Sequence, residues 1–285
     1  MLDLRVLDQG DYPALEAFLA RHRDSSMFLR SNARQAGLVF AGQRRQATYV
    51  GAFRDEELVG VAALGWNGNL LLQAPEELEA IALRMLSASR TPLRGLSGPA
   101  AQVRAARTAL GLDGAPTRLD EDEDLYALDL QDWSAPPGLS RDPLVECRAP
   151  LPAERSLLRD WRYAYEVECL GRDPSDRAAR AQSDAWLDAQ MDDDVAWVAV
   201  VGRVPVSFSG FNAALPDIVQ LGAIYTPPQF RGRGYARAAV AHSVGVAKER
   251  GATRAVLFTS NPCAVKSYEA VGFRHAGDFG LVLFA

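Results

Sequence analysis

Apolar residues recur along this chain with two periods, one near 3.6 residues and one of 2, and the switches between them mark out short alternating elements. In the C-terminal half the pattern predicts a strand over 145–148. A helix over 152–170 follows, with Leu157, Leu158, Trp161, Tyr165 and Cys169 at helical spacing. A second helix starts at Asp173-Pro174-Ser175-Asp176 and ends where Asp192-Asp193-Asp194 interrupts it. The β-rich run 195–201 turns at Gly202-Arg203 into an alternating segment over 205–211, which predicts a hairpin. A strand over 218–225, a helix over 230–250 closed by Gly251, and a strand over 254–259 come next. A short helix over 262–271 closed by Gly272 and a strand pair over 274–284, hinged near Gly277-Asp278, complete the half.

The N-terminal half repeats this grammar. Helices fit at 11–21 and 27–36, a hairpin at 48–53 and 58–64, and a strand at 69–73. A helix at 76–88, a strand at 93–96, a helix at 99–110 and a strand at 125–130 follow. The same succession in both halves implies a duplicated α/β fold. The acidic run Asp120-Glu121-Asp122-Glu123-Asp124 fits a solvated loop without function. No helix or central strand passes through Pro136-Pro137-Gly138. The expected division is therefore a first domain over 1–135, a linker over 136–144 and a second domain over 145–285.

Composition narrows the partners. With 31 Lys plus Arg against 36 Asp plus Glu in 285 residues, the net charge of -5 offers no basic field for a nucleic acid. Only Lys248 and Lys266 are lysines, so arginine is the default cation and arginine clusters carry less information. The three cysteines, Cys147, Cys169 and Cys263, do not make a disulfide framework. No leader-like or membrane-length apolar segment is visible, so a cytoplasmic protein without membrane contact is expected. His22, His242 and His275 lack ligand spacing, and no metal is expected.

The sharpest chemistry lies in Thr226-Pro227-Pro228-Gln229-Phe230-Arg231-Gly232-Arg233-Gly234-Tyr235-Ala236, between a strand and a long helix. A glycine-rich turn at a helix N-terminus presents unpaired N–H groups and the positive end of the dipole to an anion. A dinucleotide fingerprint would need glycine at Arg237, and a P-loop would need Gly-Lys-Ser/Thr; neither is present.

The Gln-x-x-Gly-x-Gly signature of Gln229 to Gly234 resembles that of the GNAT superfamily of acyl-CoA-dependent N-acyltransferases. The segment Asn261-Pro262-Cys263-Ala264-Val265-Lys266-Ser267-Tyr268-Glu269-Ala270-Val271-Gly272-Phe273 is similar to that family's Asn-x-x-Ala-x-x-x-Tyr-x-x-x-Gly-Phe ending. The resemblance covers roughly 145–285. It implies an α/β fold of two GNAT-like domains, each a mixed, mainly antiparallel sheet flanked by helices, with the N-terminal one degenerate.

It further implies that acetyl-CoA is the cofactor. The backbone of Arg231, Gly232, Arg233, Gly234, Tyr235 and Ala236 would hold the pyrophosphate, with Arg231 and Arg233 favoured for phosphate contact. Ile224, Tyr225 and Thr226 would bond the pantetheine arm, and Ser260 and Asn261 would touch the cofactor. Tyr268 would protonate the departing thiolate.

The acceptor is open between a small-molecule amine and a protein amine, and the oligomeric state is not assigned. The strand glutamate of some family members is missing. Asp217, Glu166 and Glu168 are the carboxylates considered for the acceptor site or general base, and none is singled out. Trp161, Tyr163, Tyr165 and Trp186 are candidate aromatic walls for the acceptor. The N-terminal half reads Gln73-Ala74-Pro75-Glu76-Glu77 where the glycine turn would fall, placing carboxylates where an anion would dock. The alternative is a non-catalytic acyl-CoA sensor or binding module.

Overall fold

The computed structural model describes residues 1–140 and 142–285. The chain forms two compact units, Met1–Leu125 with Ala276–Ala285, and Tyr126–His275. The first contains β1 (Leu2–Val6), α1 (Tyr12–Arg21), α2 (Met27–Ala36), β2 (Ala47–Arg54), β3 (Glu57–Gly65), β4 (Asn69–Gln73), α3 (Leu78–Ala88), β5 (Gly95–Pro99) and α4 (Ala100–Ala109). Next comes β6 (Thr117–Asp129), whose last residues belong to the second unit. That unit continues with β7 (Val145–Arg148), α5 (Arg155–Leu170), α6 (Arg177–Asp192), β8 (Ala196–Val201), β9 (Val204–Ala214), β10 (Ile218–Tyr225), α7 (Tyr235–Glu249), β11 (Arg254–Thr259) and α8 (Pro262–Val271). The final strand, β12 (Arg274–Phe284), returns to the first unit from Ala276 onward.

Within the first unit the strand order is β1-β2-β3-β4-β5-β12, antiparallel except for the parallel β4/β5 pair. Within the second it is β7-β8-β9-β10-β11-β6, with β10/β11 the parallel pair. The parallel pairs are joined through α3 and α7, as parallel strands require a crossover. Each unit thus takes its strand beyond the parallel pair from the other half of the sequence. β12 pairs with β5 from Phe279↔Pro99 to Leu283↔Gly95.

Several expectations are corrected. The compact units divide inside β6 and not at 136–144, because strand pairing, not composition, decides where the chain changes core. The expected strand pair at 274–284 is one continuous strand. The acidic run is part of β6, where backbone pairing does not depend on side-chain polarity. Its carboxylates Asp120 and Asp122 pair with Arg107 and Arg104 of α4. β1 was not expected, and it completes the correspondence with β7.

The chain that follows β6 is held at Trp133 and Leu139. The Trp133 indole N–H donates to the Val271 carbonyl (2.8 Å), and the Lys248 ammonium donates to the Trp133 carbonyl (2.7 Å). Trp133 and Leu139 pack against a core of Trp197, Phe211, Leu221, Val240, Val244, Tyr268 and Phe273, which lies between the sheet and α7/α8. On the opposite face Leu158, Trp161, Leu187, Val198, Phe208, Ala223 and Tyr225 form the core beneath α5 and α6. Burying each such side chain contributes about 1.5–3 kcal/mol, so the sheet is held from both sides.

Candidate functional site

The site is set by how β10 leaves its neighbour. The parallel ladder between β10 and β11 runs from Ile218↔Arg254 to Gln220↔Val256 and stops, while β10 continues to Tyr225 and β11 to Thr259. On the β9 side the register shifts between Gly222 and Tyr225, and Ala223 sits at φ +53°. A β-branched or bulky residue would be strained there, and even alanine is held at a cost of order 1–3 kcal/mol. This bulge turns the strand so that Val219 and Leu221 face α7, whereas Ala223 and Tyr225 face α5 and α6.

Beyond the bulge, Ser207 Oγ lies 2.8 Å from Thr226 Oγ1 and donates to the Tyr225 carbonyl at 3.3 Å. Pro228–Phe230 form a single 3-10 turn. The Arg231 N–H closes it on the Pro228 carbonyl (3.3 Å), so the Arg231 amide is already engaged within the turn. Gly232 and Gly234 have φ of +76° and +87°, a region glycine enters without penalty. Gly232 has open space around it. A Cβ on Gly234 would lie 2.5 Å from the Leu139 carbonyl, so the chain passes directly over that residue. Gly234 has no side chain with which to cap α7, and the first intrahelical bond is Ala238 N–H to Gly234 C=O (3.2 Å). Among the described residues, the amides between have no backbone acceptor. Tyr235 is buried, and its hydroxyl donates to Asp142 at 3.2 Å.

The arginines of the turn part company. Arg231 is turned to protein: its Nη2 lies 2.8 Å from Glu168 Oε2, and its Nε donates to the Thr226 carbonyl (2.9 Å). Its guanidinium also lies 5.8 Å from the Tyr225 ring. Burial, then the charge of Glu168, pushes the Tyr225 phenol up from its ordinary pKa. Asn261 caps α8, its Oδ1 accepting from the Cys263 and Ala264 amides at 2.9 and 3.4 Å. That role was not expected. Ser260 is exposed beside it. Tyr268 is buried in the α7/α8 core, 6.2 Å from the Phe273 ring, and Ile224 packs against the same cluster.

The three carboxylates end in different places. Asp217 precedes β10 at the end away from the bulge, where its carbonyl accepts from Thr253 and Arg254. At about 3.3 Å per residue it stands roughly 20 Å from Ala223, which sets it apart from this site. Glu166 is 6% exposed and lies between Arg162 (2.9 Å) and Arg172 (3.5 Å), an anion already matched. Glu168, bound to Arg231, is the carboxylate of the three at the open end of β10. The aromatic candidates also separate. Trp161 is core, and Tyr163 bonds the Asp173 and Asp176 carbonyls (2.9 and 3.2 Å). Trp186 and Tyr165 flank the Arg162 guanidinium at 4.1 and 5.2 Å. Residues not singled out from the sequence also gather here: Arg162, Ser207, Asn212 and Gln220. Isolated polar residues in strands and helices carry no periodic signal that would distinguish them.

The first unit differs at the corresponding point. β4 pairs with β3 without a register shift, from Val61↔Gln73 to Leu64↔Leu70. The Ala74 amide is taken by Gln102 Oε1 (2.7 Å). Glu76 and Glu77 precede α3, and Arg54 pairs with both.

Residues 156–273 match the family model described as "Acetyltransferase (GNAT) family". The fold is shared with a GCN5-related N-acetyltransferase from Sphaerobacter thermophilus (17% identity, TM-score 0.61, covering 99% of this chain and 94% of that one). It is also shared with a GCN5-related N-acetyltransferase from Kribbella flavida (17%, 0.58, covering 92% and 94%). A tandem GNAT protein from the clavulanic acid biosynthesis pathway aligns over the whole length (13%, 0.53, covering 100% and 98%). No curated protein matches the sequence. Over residues 156–273 the chain thus matches the acetyltransferase (GNAT) family, and its fold is one of two GNAT-like units. Among the described residues, no helix is long and apolar enough to cross a membrane.

Proposed function

We propose that the second unit transfers an acetyl group from acetyl-CoA to a primary amine by direct attack in a ternary complex. The observation that carries this is the conjunction of a bulged, unpaired end of β10 with an uncapped glycine turn at the start of α7. The free edge of β10 at Ile224, Tyr225 and Thr226 suits an extended amide-bearing arm, as an added strand would. The amides from Gly232 to Ala236 suit a pyrophosphate, with Gln229 and Arg233 beside them and Ser260 and Asn261 across the opening. Arg231 contributes by holding the turn against Glu168 and not by touching phosphate.

When bound, the thioester supplies the activated acyl carbon. The amine nitrogen would bond to that carbon as the carbon–sulfur bond breaks, Tyr268 would give its phenolic proton to the departing sulfur, and the proton lost from the nitrogen would pass to water and, through it, restore the phenol. The first unit is read as cofactor-free, because Glu76, Glu77 and Arg54 occupy the place of the glycine turn and Gln102 takes the adjacent amide.

Tyr268→Phe tests the reading. Turnover, followed as free thiol released from acetyl-CoA, should fall by about 100-fold or more, with the dissociation constant of coenzyme A held by calorimetry. A wild-type protein that binds acetyl-CoA and acetylates no amine would instead be a sensor.

A further inference from the structure

Buried polar atoms without partners concentrate on one face of the second unit. Among the described residues they include Arg162 Nε and Nη1, Ser183 Oγ, Gln190 Oε1 and Gln220 Oε1. Gln220 alternates with Val219 and Leu221, which face α7, so it lies on the α5/α6 side two residues before Gly222 and the bulge. On the same side, Gly210 and Gly222 are register partners, and the amide side chains of Gln190 and Asn212 take the space that side chains of their own would fill. Gln190 Oε1 is 3.4 Å from where a Cβ on Gly210 would stand, and Asn212 Nδ2 is 1.8 Å from where one on Gly222 would stand. The two glycines thus let these amides lie directly on the sheet.

Arg162 is stacked on Trp186 at this face, and Trp186 and Tyr165 pack against the cluster that includes Ala223 and Tyr225. Both aromatics are half-buried, at the border with solvent. Ser183, Trp186, Leu187 and Gln190 share one side of α6, Trp186 and Gln190 one turn apart. Arg162 and Glu166 are largely buried and Arg172 is partly exposed, so the group holds two cations and one carboxylate and is positive overall. A buried guanidinium with orphan N–H groups is costly unless an anion completes it.

We propose that the acceptor is a small amine carrying a carboxylate, that Arg162 binds this carboxylate and selects for it, and that Gln220 and Gln190 accept hydrogen bonds from the amine beside the bulge. This rests on the acetyltransferase reading and narrows its substrate.

The test pairs amines that differ only in the carboxylate, with acetyl-CoA as donor: glycine against methylamine, β-alanine against ethylamine, γ-aminobutyrate against propylamine. Aminoethylphosphonate serves as a further arm. At least one amino acid should exceed its partner in kcat/KM by about tenfold or more. Arg162→Gln should draw that ratio toward one, mainly through KM, while calorimetry finds coenzyme A still bound. Should that variant not fold, Arg162→Lys keeps the charge but loses the planar fork, and should raise KM for the amino acid.

Equal or better turnover of the simple amines by the wild type, or a ratio insensitive to Arg162, overturns the proposal. Preference for the phosphonate over every carboxylate overturns its choice of anion. If nothing turns over, binding decides: a thermal shift by an amino acid with coenzyme A present, lost in Arg162→Gln, sustains the acceptor site, and its absence overturns it. Failure to bind acetyl-CoA overturns the underlying reading instead.

Discussion

The guanidinium of Arg231 is held 2.8 Å from the Glu168 carboxylate, so the turn before α7 is fastened to the C-terminal end of α5. The same side chain also bonds the Thr226 carbonyl at the end of β10, which supports the proposed reading of Arg231 as a positioning residue. Arg231→Ala and Glu168→Gln should each weaken coenzyme A binding modestly, and the double variant should be no worse than the more affected single one. The pair is exposed, so a coupling of about 0.2–1 kcal/mol is expected from a double-mutant cycle of dissociation constants. Strictly additive effects would mean that Arg231 acts on the phosphate independently of Glu168.

The two glycines of the turn should respond unequally to alanine. At Gly232 the new methyl meets open space, and the cost is that of the left-handed backbone, about 1–2 kcal/mol. At Gly234 the same strain is joined by overlap with the Leu139 carbonyl, so the chain over the turn must move. Thermal melts should therefore rank Gly234→Ala below Gly232→Ala, with coenzyme A affinity following the same order. Equal melting temperatures would show that the 138–140 segment does not press on the turn.

Much of this architecture was legible in the sequence because its punctuation is local. Gly251 and Gly272 end helices, Asp176 caps α6 through the Ala178 and Ala179 amides, and the two motifs fall on the elements they require. What was not legible depends on partners far away in the chain. Gly277 and Asp278 look like a turn, yet they lie within β12, whose continuation pairs with β5. The acidic residues of β6 look like a solvated loop until the backbone finds its ladder. Orphaned atoms such as Gln220 Oε1 become visible only once the sheet fixes which face each side chain occupies.

Calorimetry of the full chain with acetyl-CoA should give one site per chain. Arg54 already pairs with Glu76 and Glu77 ahead of α3, so a pyrophosphate there would meet two carboxylates. A stoichiometry of two would overturn the cofactor-free reading of the first unit. The whole chain is the right material, because the first unit includes Ala276–Ala285 and is not recovered by cutting at 135.

Asp217→Asn should leave turnover and its pH profile unchanged, because Asp217 stands at the end of β10 remote from the bulge. Glu168→Gln, at the near end, should alter both. The opposite ranking in a kcat/KM profile against pH would return Asp217 to the reaction.

A final prediction concerns stability. Burial, reinforced by the charge of Glu121, pushes the Glu123 carboxyl up from 4.5 to about 7. Folding therefore raises its proton affinity, and between those values the folded chain binds more protons than the unfolded one. The stability this proton confers is complete below the unfolded pKa and is lost as pH rises through about 7. Glu123 is only half-buried, so solvent reduces the full linkage to about 1–3 kcal/mol. Melting temperature should fall between about pH 5 and pH 8 in the wild type, and Glu123→Gln, which needs no proton to stay neutral, should flatten that slope. An unchanged slope in the variant would assign the pH dependence to other groups.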